Sequence, residues 1–311
     1  MSEICVIGDI GLGSKIADEL GTRFFRVDNR VFPDGELAPR ILVERIEDVK
    51  NKDVIAVFQK GESENVNNYV LRSFLTLSTL RRYEAAKLVG VFPYFAYARQ
   101  DNEFRLGEPV SCGIVSKIFE DVGVSDFITV TSHVHRASGI DKWFPNIRAH
   151  DVSGISVLAD YVKSNAESPE ELVVFAPDGE GLPWAKEMAE KIGSHQASAL
   201  EKERDVNTGE ISQKLVEDID VRGRNIVIVD DIVSTGKTIA RAANLLKKQK
   251  GAKKVAFSYV HPVHSPGALE LMRKESPPFT VTTDTIETSA KGVKVTSVAK
   301  LIGSKIKELL R

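Results

Sequence analysis

The chain has few cysteines, little net charge and no long apolar run. Only two of its 311 residues are cysteine, Cys5 and Cys112, and neither has the spacing of a metal-binding or redox motif. Two unpatterned thiols predict a reducing compartment and no disulfide framework. A formal net charge of -2 gives no reason to expect nucleic acid as a partner. No stretch approaches the ~20 apolar residues of a membrane span, and the start, MSEICVIGD, lacks a signal-peptide pattern. We therefore expect a cytoplasmic protein that does not bind a membrane.

An alternation of short β-branched runs with helical patterns is what the sequence does contain. The length predicts two domains, and 42% hydrophobic residues supply a core. Several runs are continuously apolar, as in a parallel sheet covered on both faces. The alternation predicts an α/β fold built from βαβ units. The candidate strands are Ile4–Ile7, Val54–Phe58, Leu88–Phe92, Phe127–Val130, Leu172–Phe175, Ile226–Val229 and Val255–Val260.

A domain boundary near residue 150 is suggested by the polar, proline-containing stretch Trp143–Ser153. We predict domains at 1–150 and 151–311, packed closely because no low-complexity linker separates them. Within the second domain, Lys202–Val221 is highly charged and poor in aliphatic residues. This composition predicts a mobile flap, and a solvated hairpin explains it equally well.

The strongest functional signal is the segment from Ile226 to Thr238, in which a buried strand leads to two acids, a small polar turn and a helix. Backbone N–H groups of such a turn and the helix dipole together bind a phosphate. Adjacent carboxylates at the carboxyl end of a strand can accept hydrogen bonds from a vicinal diol, and open α/β sheets place ligands at this edge. The residues concerned are Asp230, Asp231, Ser234, Thr235, Gly236, Lys237 and Thr238.

The tripeptide Gly236-Lys237-Thr238 looks like the end of a Walker A loop, but that motif needs a glycine at position 231, which is Asp. A plain turn with helix-capping hydroxyls and two solvated acids is the structural alternative. The segment from Ile226 to Thr238 as a whole resembles the signature for phosphoribosyl pyrophosphate (PRPP) that type I phosphoribosyltransferases and ribose-phosphate diphosphokinases share. Lys237 stands where many members have a second glycine.

Further stretches resemble the diphosphokinases and not the transferases. They are Phe32–Glu36 (FPDGE), Tyr94–Asp101 (YFAYARQD) and Gly107–Ser111 (GEPVS). The resemblance implies that the first loop holds the ATP base from a neighbouring subunit, and hence a homo-oligomer that is a dimer or is built from dimers. The implied ATP-contacting residues are Phe32, Asp34, Glu36, Arg99, Gln100 and Asp101. Taken alone, FPDGE is only a turn signal and Arg99 a surface cation.

The second half of the chain carries two more similarities to the same family. Ala176–Leu182 looks like a pyrophosphate-binding loop, and an acidic glycine-rich turn is its plain structural alternative. The residues that this loop would contribute are Asp178, Gly179, Glu180 and Gly181. Lys202 and Arg204 match the cations at the base of the family's catalytic flap. Without that resemblance they would be solvated charges.

Magnesium is the cofactor that the resemblance implies, with His133 and Asp178 as its ligands. Many family members have an acid two residues before this histidine, but here the position is Thr131. This departure puts the metal geometry in question. His135 is either a further ligand or a polar loop residue, and the second interpretation is favoured.

Together these similarities imply two tandem type I phosphoribosyltransferase-like domains, each a mostly parallel sheet flanked by helices. The implied activity transfers the pyrophosphoryl group of ATP to ribose 5-phosphate, giving PRPP and AMP. Two alternatives remain. A catalytically silent regulatory homologue would keep the fold and lose metal or flap residues. A phosphoribosyltransferase would leave Phe32–Glu36 and Tyr94–Asp101 unused.

Overall fold

The computed structural model describes residues 3–133, 139–204, 211–217 and 219–310, with the backbone alone for 202–204 and 211–215. The chain forms two compact units. Unit 1 contains Met1–Ser153, Thr285–Glu287 and Ser297–Arg311, and unit 2 contains Gly154–Asp284 and Thr288–Thr296. The sequence predicts that all of 151–311 is one domain. The structure instead packs the C-terminal helix with unit 1, because this helix lies against the first helix of the chain, with Gly303 facing Glu19.

Unit 1 is built on a seven-stranded sheet with the order β3-β2-β1-β4-β5-β6-β7. All neighbouring strands are parallel except β2 and β3, which form an antiparallel hairpin. The strands are β1 (Ile4–Gly8), β2 (Arg23–Val31), β3 (Leu37–Ile41), β4 (Asp53–Val57), β5 (Lys87–Val91), β6 (Asp126–Val130) and β7 (Arg148–Val152). The helices of unit 1 are α1 (Ile10–Leu20), α2 (Val66–Arg82), α3 (Ser111–Asp121) and α8 (Ala299–Leu309).

Unit 2 repeats the same strand order, β10-β9-β8-β11-β12-β13-β14. Its only antiparallel pair among the described strands is again the hairpin at one edge, β9 with β10. The strands are β8 (Val173–Ala176), β9 (Ala197–Arg204), β10 (Ile211–Leu215), β11 (Asn225–Val233), β12 (Lys254–Pro262), β13 (Thr280–Thr283) and β14 (Lys294–Thr296). The helices are α4 (Ile155–Asn165), α5 (Leu182–Ile192), α6 (Lys237–Lys248) and α7 (Ala268–Arg273).

The core of unit 1 is rich in stacked aromatic rings. The ring of Phe92 lies 4.9 Å from that of Phe58, 4.3 Å from Phe119 and 5.2 Å from Phe127, measured between centroids. Each of these rings is almost fully buried, and such aromatic pairs add to the stabilisation that burial itself gives. Because Phe92 directly follows β5, this cluster fixes the point at which the chain leaves the sheet.

The core of unit 2 is mostly aliphatic. Helix α6 buries the stripe predicted from its 3.6-residue period, which consists of Ile239, Ala242, Ala243 and Leu246. These side chains pack with β-strand residues of the same cluster, including Phe257 and Tyr259 of β12. The packing holds the first turn of α6 at the carboxyl end of β11.

All seven predicted strands are present, with ends shifted by no more than a few residues. The largest shift concerns β11, which continues to Val233, so Asp230 and Asp231 lie inside the strand and not after it. The polar stretch Trp143–Ser153 contains the edge strand β7. The charged segment that begins at Lys202 forms the β9–β10 hairpin, which agrees with the hairpin alternative.

Candidate active site

The candidate phosphate loop joins β11 to α6 at the carboxyl edge of the unit 2 sheet. Ser234 and Thr235 follow the strand, and Gly236 is the residue before the first helical turn, with φ of 69°. An added Cβ at Gly236 would lie 2.9 Å from the carbonyl oxygen of Ala268. Glycine is therefore required here both for its backbone angle and for the close approach of α7. The N–H groups in the first turn of a helix have no acceptor within the helix, so they can bind an anion; here Lys237 N–H donates to Thr235 Oγ1 at 3.4 Å.

The two neighbouring acids of β11 have different surroundings. Asp231 is buried, whereas Asp230 is partly exposed. The Asp230 carboxylate accepts a hydrogen bond from the Asp231 amide at 3.0 Å, and the Asp231 carboxylate accepts one from the Ile232 amide at 2.7 Å. Partial burial, followed by the charges of Asp231 and Asp178, raises the pKa of Asp230 well above its ordinary value. Hydroxyl donors or a cation would relieve this repulsion.

The acidic glycine-rich loop begins where β8 ends and leads through a 3₁₀ turn, Gly179–Gly181, into α5. Asp178 and Glu180 are exposed, and Pro177 is buried. An added Cβ at Gly181 would lie 2.8 Å from the Cβ of Ala176, so this glycine allows the loop to fold back on its own strand. Because β8 and β11 are parallel neighbours, the loop lies at the same edge as the phosphate loop.

In unit 1, the first predicted ATP loop is the tip of the β2–β3 hairpin. Phe32 N–H donates to the Glu36 carbonyl at 2.8 Å, and Asp34 accepts from the Glu36 amide at 3.1 Å. Gly35 has φ of 95°. The side chain of Phe32 is exposed. The hydrogen-bonded turn therefore presents the Phe32 ring to solvent.

The second predicted ATP segment follows β5 and is held by Glu108. Glu108 accepts hydrogen bonds from the Gln100 side chain at 3.3 Å and from the Arg105 amide at 3.2 Å. Arg99 is exposed, whereas Asp101 is buried. The Cys112 amide donates to the Gln100 carbonyl at 3.1 Å. The turn is therefore tied to the start of α3, and it leaves the Arg99 side chain facing solvent.

His133 follows β6 on a strained turn. Thr131 has φ of 43°, which is rare for a β-branched residue. Its N–H donates to the Val152 carbonyl at 3.0 Å. The carboxylate of Asp151 accepts from the Ser132 amide at 3.1 and 3.0 Å and from the Ser132 hydroxyl at 2.5 Å. Strand β7 thus determines the path of the backbone into His133.

Each unit brings its own share of the predicted residues to one edge of its sheet. In unit 2 this holds for the Asp178–Gly181 loop and for Asp230–Thr238. In unit 1 it holds for Phe32–Glu36, Tyr94–Asp101 and His133. The side chains of Lys202 and Arg204 lie outside the described residues, although their backbone is the end of β9. His135 also lies outside them.

The sequence analysis did not predict that the segment after β12 contacts the phosphate loop. Ser265 Oγ lies 3.0 Å from Ser234 Oγ, and the Ser265 amide donates to the Ser234 carbonyl at 2.9 Å. The only local signal for this contact is the His-Ser-Pro-Gly turn at residues 264–267, which follows a buried strand.

Elsewhere in unit 2, an open crevice of about 760 Å³ is lined by residues that include His195, Glu217 and Arg224. These residues lie near the amino ends of β9 and β11, at the opposite edge from the phosphate loop. The crevice therefore does not belong to the candidate site. Among the helices that the structure describes, none combines the length and the apolar composition of a membrane span.

Comparison with known proteins gives two family matches. Residues 8–123 match the N-terminal domain of ribose phosphate pyrophosphokinase, and residues 155–297 match the phosphoribosyl transferase domain. The chain is 31% identical to a ribose-phosphate pyrophosphokinase of Saccharolobus solfataricus over 292 residues, which is 94% of this chain and 95% of the relative. It is also 31% identical to the protein of that name from Methanothermobacter thermautotrophicus, over 96% of each chain.

A solved structure has the same fold. The crystal structure of phosphoribosylpyrophosphate synthetase from Mycobacterium smegmatis superposes with a TM-score of 0.85 at 24% identity, covering 99% of each chain. The sequence relatives cover nearly the full length. The two family-model matches include the loops at 32–36, 94–101, 178–181 and 230–238, whereas His133 lies between the matched regions. The chain therefore belongs to the ribose-phosphate pyrophosphokinase family.

Proposed function

We propose that the protein is a ribose-phosphate diphosphokinase, which transfers the β,γ-pyrophosphoryl group of ATP to the 1-hydroxyl of ribose 5-phosphate. The proposal rests mainly on one observation. At one sheet edge, the adjacent acids Asp230 and Asp231 are followed within a few residues by the phosphate loop Ser234–Thr238 at the start of α6. Diol-binding acids and a phosphate loop, a few residues apart, match the two polar ends of a ribose 5-phosphate molecule. The N-terminal family match over residues 8–123 favours the kinase over a phosphoribosyltransferase.

Ribose 5-phosphate would bind with its phosphate on Ser234–Thr238 and its 2- and 3-hydroxyls on Asp230 and Asp231. Phosphate oxygens would accept from loop hydroxyls and from N–H groups in the first turn of α6. The diol would donate to the two carboxylates, and this favours their ionised form. Such anchoring leaves the 1-hydroxyl as the free nucleophile and holds it in one orientation.

ATP would be held by the unit 1 loops. Arg99 and Gln100, after β5, would contact the nucleotide together with Asp101, as the resemblance implies. Phe32, Asp34 and Glu36 would hold the base of an ATP bound to a neighbouring copy, which makes the working enzyme a homo-oligomer. The exposed phenyl ring on a hydrogen-bonded hairpin tip supports this assignment.

The residues proposed for magnesium are His133 and Asp178, as the resemblance implies. Among the residues that the structure describes, no group of three His, Cys, Asp or Glu side chains could hold a metal ion alone. Magnesium keeps several waters and binds through few side chains and substrate phosphates, so two side chains suffice. The mutual repulsion of Asp178, Asp230 and Asp231 also favours a cation nearby. When bound, magnesium would draw negative charge from the pyrophosphoryl group.

In the reaction, the ribose 1-hydroxyl oxygen bonds to the β-phosphorus of ATP. The bond from that phosphorus to the α,β-bridging oxygen breaks, AMP leaves, and the hydroxyl proton is lost. Backbone N–H groups of the Asp178–Gly181 loop would hold the transferred pyrophosphoryl group. Lys202 and Arg204 would neutralise the charge that develops on it and on AMP, and one such cation contributes about 10³-fold or more to the rate in related phosphoryl transfers.

We place the enzyme in the cytoplasm.

The test is to incubate the purified protein with ATP, ribose 5-phosphate and magnesium and to quantify AMP and PRPP, with Lys202→Ala assayed in parallel. The proposal predicts equal amounts of both products from the wild type and a loss of about 10³-fold in the variant. If the protein makes no AMP from ATP, but converts PRPP and a nucleobase into pyrophosphate and the nucleoside monophosphate of that base, the protein is a transferase. If the protein binds ribose 5-phosphate but never turns over, it is a silent regulatory homologue.

A further inference from the structure

The segment after β12 runs alongside the phosphate loop. Strands β11 and β12 are in register as far as Val233 and Pro262. Beyond them the chain turns at His264, whose φ is 37°, and two more backbone hydrogen bonds form. His264 N–H donates to the Val233 carbonyl at 3.0 Å, and Ser265 N–H donates to the Ser234 carbonyl at 2.9 Å. The first residue of the phosphate loop is thus held by the neighbouring connection.

A side-chain contact strengthens this backbone pairing. The hydroxyl oxygens of Ser234 and Ser265 are 3.0 Å apart. A serine hydroxyl has one proton to donate and two lone pairs that accept. Ser234 can therefore donate to a phosphate oxygen only if its own oxygen serves as an acceptor toward Ser265. In that arrangement Ser265 orients the Ser234 proton toward the ligand, and the two hydrogen bonds polarise each other.

The supporting segment is itself anchored in the core. His264 Nε2 lies 2.8 Å from the hydroxyl of Tyr259, which is fully buried in β12. The Ala268 amide donates to the Ser265 carbonyl at 3.0 Å. The carbonyl of Ala268 in turn lies 2.9 Å from the position that a Cβ on Gly236 would take. Residues 264–268 therefore lie against the phosphate loop both at Ser234, where it begins, and at Gly236, next to α6.

We infer that Ser265 is a positioning residue for the phosphate of ribose 5-phosphate, acting through the hydroxyl and carbonyl of Ser234. This inference rests on the proposed function and adds to it a residue outside the signature segment. Ser265 acts on the sugar phosphate alone, because its contacts are with the loop assigned to that phosphate. The binding of ATP does not depend on it.

The experiment measures ribose 5-phosphate binding by calorimetry and steady-state kinetics for Ser265→Ala. Loss of one orienting hydrogen bond predicts about a fivefold rise in the Kd and KM for ribose 5-phosphate. The KM for ATP and the kcat should stay within about twofold. Ser265→Thr keeps the hydroxyl and should restore most of the affinity. Ser164→Ala removes an exposed serine of the same unit, on α4, and should change nothing.

The outcomes separate the inference from the function. Wild-type protein that fails to bind ribose 5-phosphate would overturn the proposed function and this inference with it. Wild-type binding with an unchanged Ser265→Ala Kd overturns the inference alone. Equal losses for ATP and ribose 5-phosphate, together with a lower melting temperature, would show that Ser265 merely stabilises the unit, and would also overturn the inference.

Discussion

Arg72 binds Asp9 inside unit 1, with Nη1 at 3.2 and 3.0 Å from the two carboxylate oxygens and both side chains buried. Its Nε also donates to Glu64 at 2.5 Å. Asp9 follows β1 and Arg72 lies on α2, which follows β4. The equal strand orders make these positions the counterparts of the Asp178 loop and α6 in unit 2. In unit 1 the Arg72 guanidinium therefore occupies the position at the sheet edge where unit 2 would bind an anion.

Replacing Arg72 by methionine should strongly destabilise the protein. The change leaves Asp9 and Glu64 without their cation, and breaking one side of a buried ion pair costs about 3–5 kcal/mol of unfolding free energy. Urea denaturation measures the difference. Arg82→Met is the control, because Arg82 is exposed at the end of the same helix and should cost about 1 kcal/mol or less. Equal effects of the two variants would contradict the buried-pair assignment.

Asp230→Asn should stabilise the protein at neutral pH while abolishing ribose 5-phosphate binding. The pKa of Asp230 is raised in the folded state, by burial first and then by Asp231 and Asp178. The folded protein therefore binds a proton more tightly than the unfolded chain. The stability that this gives is present below the unfolded pKa and is lost as pH rises through the folded pKa.

The measurement for Asp230 is thermal unfolding from acidic to neutral pH. Wild-type melting temperature should fall relative to that of Asp230→Asn as pH rises through this window, because asparagine cannot ionise. Asn Oδ1 can still accept the Asp231 amide hydrogen bond, so the comparison isolates the charge. A wild type that gains stability over the variant with rising pH would show that the assigned direction is wrong.

Gly236→Ala should lower the free energy of unfolding by more than the same change at Gly193, another glycine with a left-handed backbone conformation. Gly193, at the end of α5, has φ of 82° and open space around its Cβ position. Alanine there should cost about 1–2 kcal/mol from backbone strain alone. At Gly236, whose φ is 69°, the methyl group would also meet the Ala268 carbonyl at 2.9 Å.

We expect Gly236→Ala to lower the melting temperature further than Gly193→Ala and to weaken ribose 5-phosphate binding by about tenfold, because a loop displacement of this kind removes roughly one charge-assisted hydrogen bond. Calorimetry provides both quantities. Gly193→Ala should bind like the wild type. Identical binding by all three proteins would mean that Ser234–Thr238 does not hold the phosphate.

Phe32→Ala should raise the KM for ATP and leave the folding free energy within about 0.5 kcal/mol of the wild type, as for most exposed positions. The phenyl ring is exposed at the hairpin tip, so unit 1 loses little packing. Ile114→Ala, another exposed apolar change in unit 1, should leave the KM for ATP unchanged. Mixing Phe32→Ala protein with an inactive Lys202→Ala protein tests the shared site. Recovered activity in the mixture indicates complementation between subunits, and no recovery argues against it.

The sequence predicted the central strands well because they are covered on both faces. β1, β4, β5, β6, β8, β11 and β12 are continuously apolar or nearly so, and each was found. The other seven strands were missed. Four of them lie at sheet edges, β3, β7, β10 and β14, and the other three, β2, β9 and β13, are each next to an edge strand and carry polar residues. The placement of α8 with unit 1 depends on its contact with α1, which is distant along the chain.

The candidate site was predictable only where it is contiguous. Asp230–Thr238 and Asp178–Gly181 are short segments whose chemistry can be inferred from residue order. The support given by Ser265, and the ion pair of Asp9 with Arg72, join residues about 30 and 60 positions apart. Such contacts arise from strand order and register, which no local pattern encodes.

Phosphorus-31 NMR of the protein with ATP, ribose 5-phosphate and magnesium tests the central claim most directly. The proposed reaction predicts that ATP signals decline while AMP and a new diphosphate on the ribose C1 oxygen appear at equal rates. Phosphorus–phosphorus coupling would identify the product as a diphosphate, and the formation of AMP in equal amount without ADP would show that the β,γ unit moved intact. Formation of ADP and a singly phosphorylated sugar, or no reaction in protein shown to bind both substrates, would contradict it.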